Sequence, residues 1–148
     1  MKNYLLTYAG HFKQLYRQLF QTAAQVYGLT QLEIDILLFL YNNPEYNTAG
    51  NICEIRGIAK SNVSNAVEAL RQKGYLDIVP QERNRRVKRL LLAEEREPVL
   101  RELAACQEEC FQILLRGFEE EECRMFRDFL QRTDENVMDY LKNEKQDK

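Results

Sequence analysis

Between Thr48 and Leu92 the spacing of apolar residues changes from a helical to a strand-like period, and this constrains the fold more than any other feature. Val63, Ala66, Val67 and Leu70 recur at i, i+3, i+4 and i+7, which predicts an amphipathic helix near 60–73 that Gly74 ends. Just before it, Thr48 can cap a short helix running to Arg56, with Gly57 at the left-handed exit position. Just after it, Tyr75 to Val79 and Val87 to Leu92 are short runs of β type. They flank Pro80 to Arg86, a polar loop too long for a two-residue turn.

Helix, turn, helix and hairpin in this order predict a winged helix-turn-helix. The outer face of the 60–73 helix carries Lys60, Ser61, Asn62, Ser64 and Asn65. Asn62 and Asn65 lie three apart, hence on one face, and an Asn amide can bond adenine through N6 and N7 in the major groove. Ser61 and Ser64 suit bases or phosphates, and Lys60 a phosphate; on an isolated helix Ser61 would serve equally as a cap. Arg83, Arg85 and Arg86 sit at the hairpin tip, where an arginine can enter a narrow A/T-rich minor groove. Lys88 and Arg89 follow on the second strand, where phosphate contact or plain strand pairing would each account for them.

The net charge of −2 hides an uneven distribution. Residues 48–92 hold nine Lys/Arg and four Asp/Glu, giving +5, and residues 93–148 hold nine and sixteen, giving −7. Residues 1–47 are neutral. Phosphate binding depends on such a local patch, and the pI of the whole chain says little about it.

Flanking segments read as helices. Residues 4–27 are apolar at Leu5, Leu6, Phe12, Leu15, Tyr16, Leu19, Phe20, Ala23 and Val26, and Gly28 ends that helix. Thr30-Gln31-Leu32-Glu33 is a capping box, with Leu29 and Ile34 as a hydrophobic staple, for a helix over about 31–42. That helix is apolar nearly all round, which predicts deep burial, and Asn42-Asn43-Pro44 stops it. Helices over about 94–116 and 119–142 follow, then a polar tail. The fold expected is mainly α with a small β-hairpin wing: a dimerisation helix over 1–28, a winged DNA-binding lobe over 29–92, and dimerisation helices over 93–148. The terminal helices have more apolar face than one small lobe can bury, which predicts a homodimer.

Other chemistries have less support. No apolar run reaches the roughly 18–20 residues of a membrane span, and no signal-peptide pattern opens the chain. Cys53, Cys106, Cys110 and Cys123 lack Cys-x-x-Cys spacing, which argues against a disulfide scaffold and fits a reducing cytoplasm. Cys106 and Cys110 share a helix face at i, i+4 but lack the partners of a tetrahedral metal site, so core packing is the expected role. His11 is the only histidine, so neither a His-rich metal site nor a Ser-His-Asp triad can be assembled, and it is expected partly buried on the first helix. The expectation is therefore a non-enzyme with no cofactor and no metal.

The residues resemble the MarR family of bacterial transcription regulators over nearly the whole chain. Leu29-Thr30 match the opening of that family's second helix, and Thr48 through Gly57, Lys60-Ser61-Asn62-Val63-Ser64, Leu70, Lys73-Gly74 and Pro80 each match its pattern without a gap. Arg85-Arg86 match its wing signature and Leu91-Leu92 the strand behind it. Three features depart. Asn84 replaces a wing-tip Asp that orients a neighbouring arginine in the family. Ala59 stands where a capping or polar residue is common, and Ala93 and Arg96 replace a Thr and a Gly.

The resemblance implies a cytoplasmic homodimer that reads a pseudo-palindromic operator in double-stranded DNA. It further implies a repressor relieved by a small-molecule or redox signal. An effector pocket would lie between dimer helices and lobe, with His11, Tyr16 and Phe39 as candidate lining residues; Cys53, Cys106 and Cys110 are the candidates for redox sensing. The alternative is a winged-helix module that uses the same surface for protein contacts and does not bind DNA.

Overall fold

The computed structural model describes residues 4–146 and contains six α-helices and a two-stranded antiparallel hairpin. The elements are α1 (Tyr4–Tyr27), α2 (Gln31–Asn42), α3 (Ala49–Arg56), α4 (Lys60–Gln72), β1 (Leu76–Pro80), β2 (Lys88–Leu92), α5 (Glu97–Leu114) and α6 (Glu120–Gln146), with a 3-10 turn at Glu94–Arg96 before α5. The fold is therefore mainly α with a wing, as the sequence predicts. The chain divides into two compact units, one reaching to Cys110 and the other starting at Phe111.

In the first unit α2 is the centre of the core. Ile34, Ile36, Leu37, Leu38, Phe39 and Leu40 are all buried, so the helix is covered on nearly every side. Phe20, Ile52, Val63, Leu70, Leu76, Leu100 and Leu103 pack into the same cluster from five other elements. Full burial of each such side chain contributes roughly 1.5–3 kcal/mol. The capping box at Thr30 forms as expected: Glu33 N–H donates to the Thr30 hydroxyl at 3.2 Å, and Thr30 N–H donates to the Glu33 carboxylate at 3.0 Å. Thr48 and Asn51 repeat that arrangement at α3, and Gly57 ends the helix with φ of 63°. Along α1, Tyr8, Phe12, Tyr16 and Phe20 form a ladder of aromatic rings at i, i+4, with centroids 6.2, 6.0 and 4.6 Å apart.

β2 pairs on both sides. It runs antiparallel to β1 with Leu76 opposite Leu92 and Pro80 opposite Lys88. On its other side Thr48 forms a bridge with Arg89, and Leu90 N–H donates to the Asn47 carbonyl at 2.8 Å. The wing is thereby fastened to the start of α3. β1 is left as the outer strand, where Pro80 and its missing N–H are tolerated.

Two boundaries differ from expectation. The helix expected from 94 begins as a 3-10 turn and becomes α-helical only at Glu97. Pro98 explains this, because its ring would clash with the carbonyl of residue 94 in a continuous α-helix, whereas a helix's first turn accepts it. The last helix runs to Gln146, past the end of its apolar period at Leu141, on helix-favouring Lys, Glu and Gln residues. The polar tail past Gln146 lies outside the described residues.

In the second unit a turn at Gly117, with φ of 84°, separates the end of α5 from α6. Phe118 and Phe126 meet edge to face at 6.2 Å. Met125, Phe129, Leu130, Val137, Tyr140 and Leu141 of α6 are exposed, as are Tyr4, Leu5 and Leu6 of α1 in the first unit. Among the described residues no single helix is long and apolar enough to cross a membrane.

Candidate nucleic-acid interface

α4 is strictly two-sided. Val63, Ala66, Val67 and Leu70 are buried, while Lys60, Ser61, Asn62, Ser64 and Asn65 are exposed. Asn62 and Asn65 line one shallow recess together with Thr30 and Leu32 from the start of α2, so the two amides do share a face. Ser61 does not cap the helix. The capping position is Ala59, which makes no side-chain hydrogen bond to the first turn. The Ser61 hydroxyl is therefore not committed to the helix end.

The other end of α4 is tied down. Arg71 donates to both Glu68 carboxylate oxygens, at 2.6 to 3.2 Å, a contact that holds the Glu68 carboxyl below its usual range. Lys73 Nζ reaches the buried Glu33 carboxylate and the Gly28 carbonyl, each at 2.7 Å. The capping carboxylate of α2 thus also anchors the end of α4. Arg96 donates to the carbonyls of Lys73 and Gly74, at 2.9 and 3.2 Å, and its guanidinium lies over the Tyr75 ring at 4.5 Å.

At the wing, Arg83, Arg85, Arg86 and Lys88 are all exposed, as is Arg89. Among the described residues none of these side chains enters an ion pair. Asn84 shapes the tip: its Oδ1 accepts from the Arg86 backbone N–H at 3.2 Å, and its carbonyl accepts from Val87 N–H at 3.0 Å. An Asn side chain offers the same acceptor oxygen to a backbone donor as an Asp. The substitution at the wing tip therefore preserves a local turn and removes one negative charge beside the arginines.

The effector candidates are dispersed. His11 is exposed on α1, not partly buried as expected, because its face of the helix has nothing packed over it in the single chain. Phe39 is a core residue, 6% exposed. Tyr16 is half-buried and bonds to Asp35 and Gln107, with its hydroxyl pushed up to about 12 by burial and by the Asp35 charge. Burial also raises the Asp35 carboxyl, against the pull of the Gln31 amide, the Arg56 charge and the Tyr16 hydroxyl. None of the three candidates lines the open groove of about 470 Å³ along α1, which is bordered by Gln14, Arg17, Gln18, Gln21 and Gln31.

The four cysteines are free thiols, with Cys110 buried and Cys53, Cys106 and Cys123 half-buried. Burial raises the thiols of both Cys106 and Cys110, and for Cys106 the Glu102 and Glu109 carboxylates add to it. That direction disfavours the reactive thiolate. Among the described residues no group of three or more His, Cys, Asp or Glu side chains could hold a metal ion.

The profile of the MarR family matches residues 27–87, which take in α2, α3, α4, β1 and the wing loop. No curated protein matches the chain. Solved structures superpose over almost its full length. A MarR-family transcriptional regulator from Listeria monocytogenes, determined with a 26mer DNA, is 21% identical, with a TM-score of 0.85 over 97% of this chain and 96% of that one. A MarR transcriptional regulator from Methanosarcina mazei Go1 gives 18% and 0.78, covering 95% and 93%. A MarR protein from Peptoclostridium difficile gives 16% and 0.81, covering 95% and 91%. Fold and wing together define a winged helix-turn-helix protein. Its residues 27–87 match the MarR family profile, and the chain as a whole has the fold of those solved MarR structures.

Proposed function

We propose that the protein is a homodimeric, sequence-specific double-stranded DNA-binding transcription regulator acting in the cytoplasm, with repression by promoter occlusion as its mode. The observation that carries the reading is the two-sided build of α4. A helix held by four buried apolar residues offers Ser61, Asn62, Ser64 and Asn65 outward, free for base edges. The unpaired wing arginines, Arg83, Arg85 and Arg86, supply the minor-groove and phosphate contacts, with Arg86 favoured and Arg85 next. Lys60 and Lys88 add phosphate contacts. The Listeria relative determined with DNA supports the same use of the fold.

Exposed apolar side chains on α1 and α6 support dimerisation, since a second copy would remove them from water. A two-fold dimer reads two half-sites, which makes the operator pseudo-palindromic. A small-molecule or redox signal would release the operator by favouring a lobe spacing that no longer fits successive major grooves.

Selection of bound duplexes from a random pool tests the proposal. The expected result is a palindromic consensus with half-sites about one helical turn apart. Recovery of unenriched sequence, with affinity that does not respond to salt, would favour the protein-interaction alternative.

A further inference from the structure

One side chain holds all three residues that close α4. Arg96 bonds the carbonyls of Lys73 and Gly74 and stacks on Tyr75, which is 3% exposed. Its charge lies at the negative end of the helix dipole, and its fork matches two successive carbonyls. Gly74 has φ of 75°, the left-handed exit that turns those carbonyls outward. From the opposite side, Lys73 is held by Glu33 and Gly28. The buried face of α4, with Val63, Ala66, Val67 and Leu70, packs against α2, α3 and β1 and fixes its crossing angle within the scatter that such packing allows. The polar bonds at its C-terminal end thus add a fixed-geometry restraint on the helix axis to the packing of its buried face.

That end is far from the base-reading residues. At 1.5 Å rise per residue, Ser61 lies about 18 Å along the axis from Lys73, so a tilt of about 5° moves it by roughly 1.5 Å. A hydrogen bond to a base edge does not survive such a displacement. We infer that Arg96 is a positioning residue for DNA recognition: it aims α4 from the segment that opens α5 without itself touching DNA. The inference rests on the DNA-binding reading above. It does not follow from the sequence pattern, since Arg96 stands where the resembled family has Gly.

The test uses the full chain, a duplex selected from the random pool, a scrambled duplex, and the variants Arg96→Ala and Arg96→Lys. Arg96→Ala is expected to lose roughly tenfold in affinity for the selected duplex while keeping its affinity for the scrambled one and its salt dependence. Arg96→Lys is expected to recover part of the loss, because an ammonium can reach one carbonyl but cannot fork. Amide hydrogen exchange without DNA should quicken along the whole of α4 in Arg96→Ala, including residues 60–65, and stay unchanged in α2. Equal loss on both duplexes, or faster exchange confined to residues 73–75, would overturn the inference. If the Ala variant does not fold, Arg96→Lys carries the same comparison with a smaller expected loss. Should the unaltered protein bind no duplex, the DNA-binding reading fails, and the exchange experiment alone decides whether Arg96 sets the helix.

Discussion

At its N-terminal end α4 has no side-chain cap and exposes two serines, two asparagines and a lysine, whereas at its C-terminal end Arg71, Lys73 and Arg96 are each bonded to named partners. Ala66, Val67 and Leu70 between the two ends are ordinary core. This polarity separates two tasks that compete on a short helix. On the proposed reading, the side chains offered to DNA are not the ones that hold the helix, and those that hold it lie at the opposite end. Hydrogen bonds left unmade at the exposed end cost little in water, and a polar partner in a groove can still satisfy them.

The largest expected effect on stability comes from breaking the anchored end. Lys73→Ala leaves the buried Glu33 carboxylate without its cation and should cost about 2 kcal/mol in a urea titration, less than a fully buried pair because Lys73 is 37% exposed. The double variant Glu33→Gln with Lys73→Met should recover part of that loss; if it loses more, the pair is not what holds the helix. At the free end the expectation reverses. Asn65→Ala should leave the midpoint of unfolding unchanged and cost about 1–3 kcal/mol in binding, with relaxed preference at one base pair. Uniform weakening on every sequence would make Asn65 a backbone contact. Filling the missing cap sharpens the contrast further: Ala59→Ser should stabilise the protein by about 1 kcal/mol, read as a higher urea midpoint. No gain would mean that the first-turn N–H groups already have partners.

A fourth expectation concerns the polar cluster under α1. The Tyr16 hydroxyl titrates near 12 when folded against an ordinary 10, so the folded state holds its proton more tightly. The stability contributed is complete below pH 10 and is lost as pH rises through 12. Tyr16→Phe should therefore flatten the alkaline limb of a stability–pH profile. An unchanged limb would assign it to other tyrosines.

Sequence order and period made much of this legible. The capping box at Thr30, the cap at Thr48, the left-handed exit at Gly57 and the buried stripe of α4 are local signals, and each formed where expected. Contacts between residues far apart in sequence were not legible. Lys73 meets Glu33 across 40 positions and Arg96 meets Lys73 across 23, and nothing near any of these residues announces its partner. Arg96 read as a departure from a pattern, and only the folded chain shows the carbonyls it serves. Pro98 is a different case. It is a local signal for the late start of α5, and the apolar period itself begins only after it, at Val99.

The salt dependence of duplex binding tests the central claim most directly. Titration of the selected duplex between about 50 and 200 mM salt should show affinity falling steeply, by roughly a thousandfold or more if six or more phosphates are neutralised across a dimer. Replacing Arg85 and Arg86 together by Ala should make that slope shallower. Binding that is flat across this range, or a slope the double variant leaves unchanged, would contradict a DNA-reading surface built from α4 and the wing.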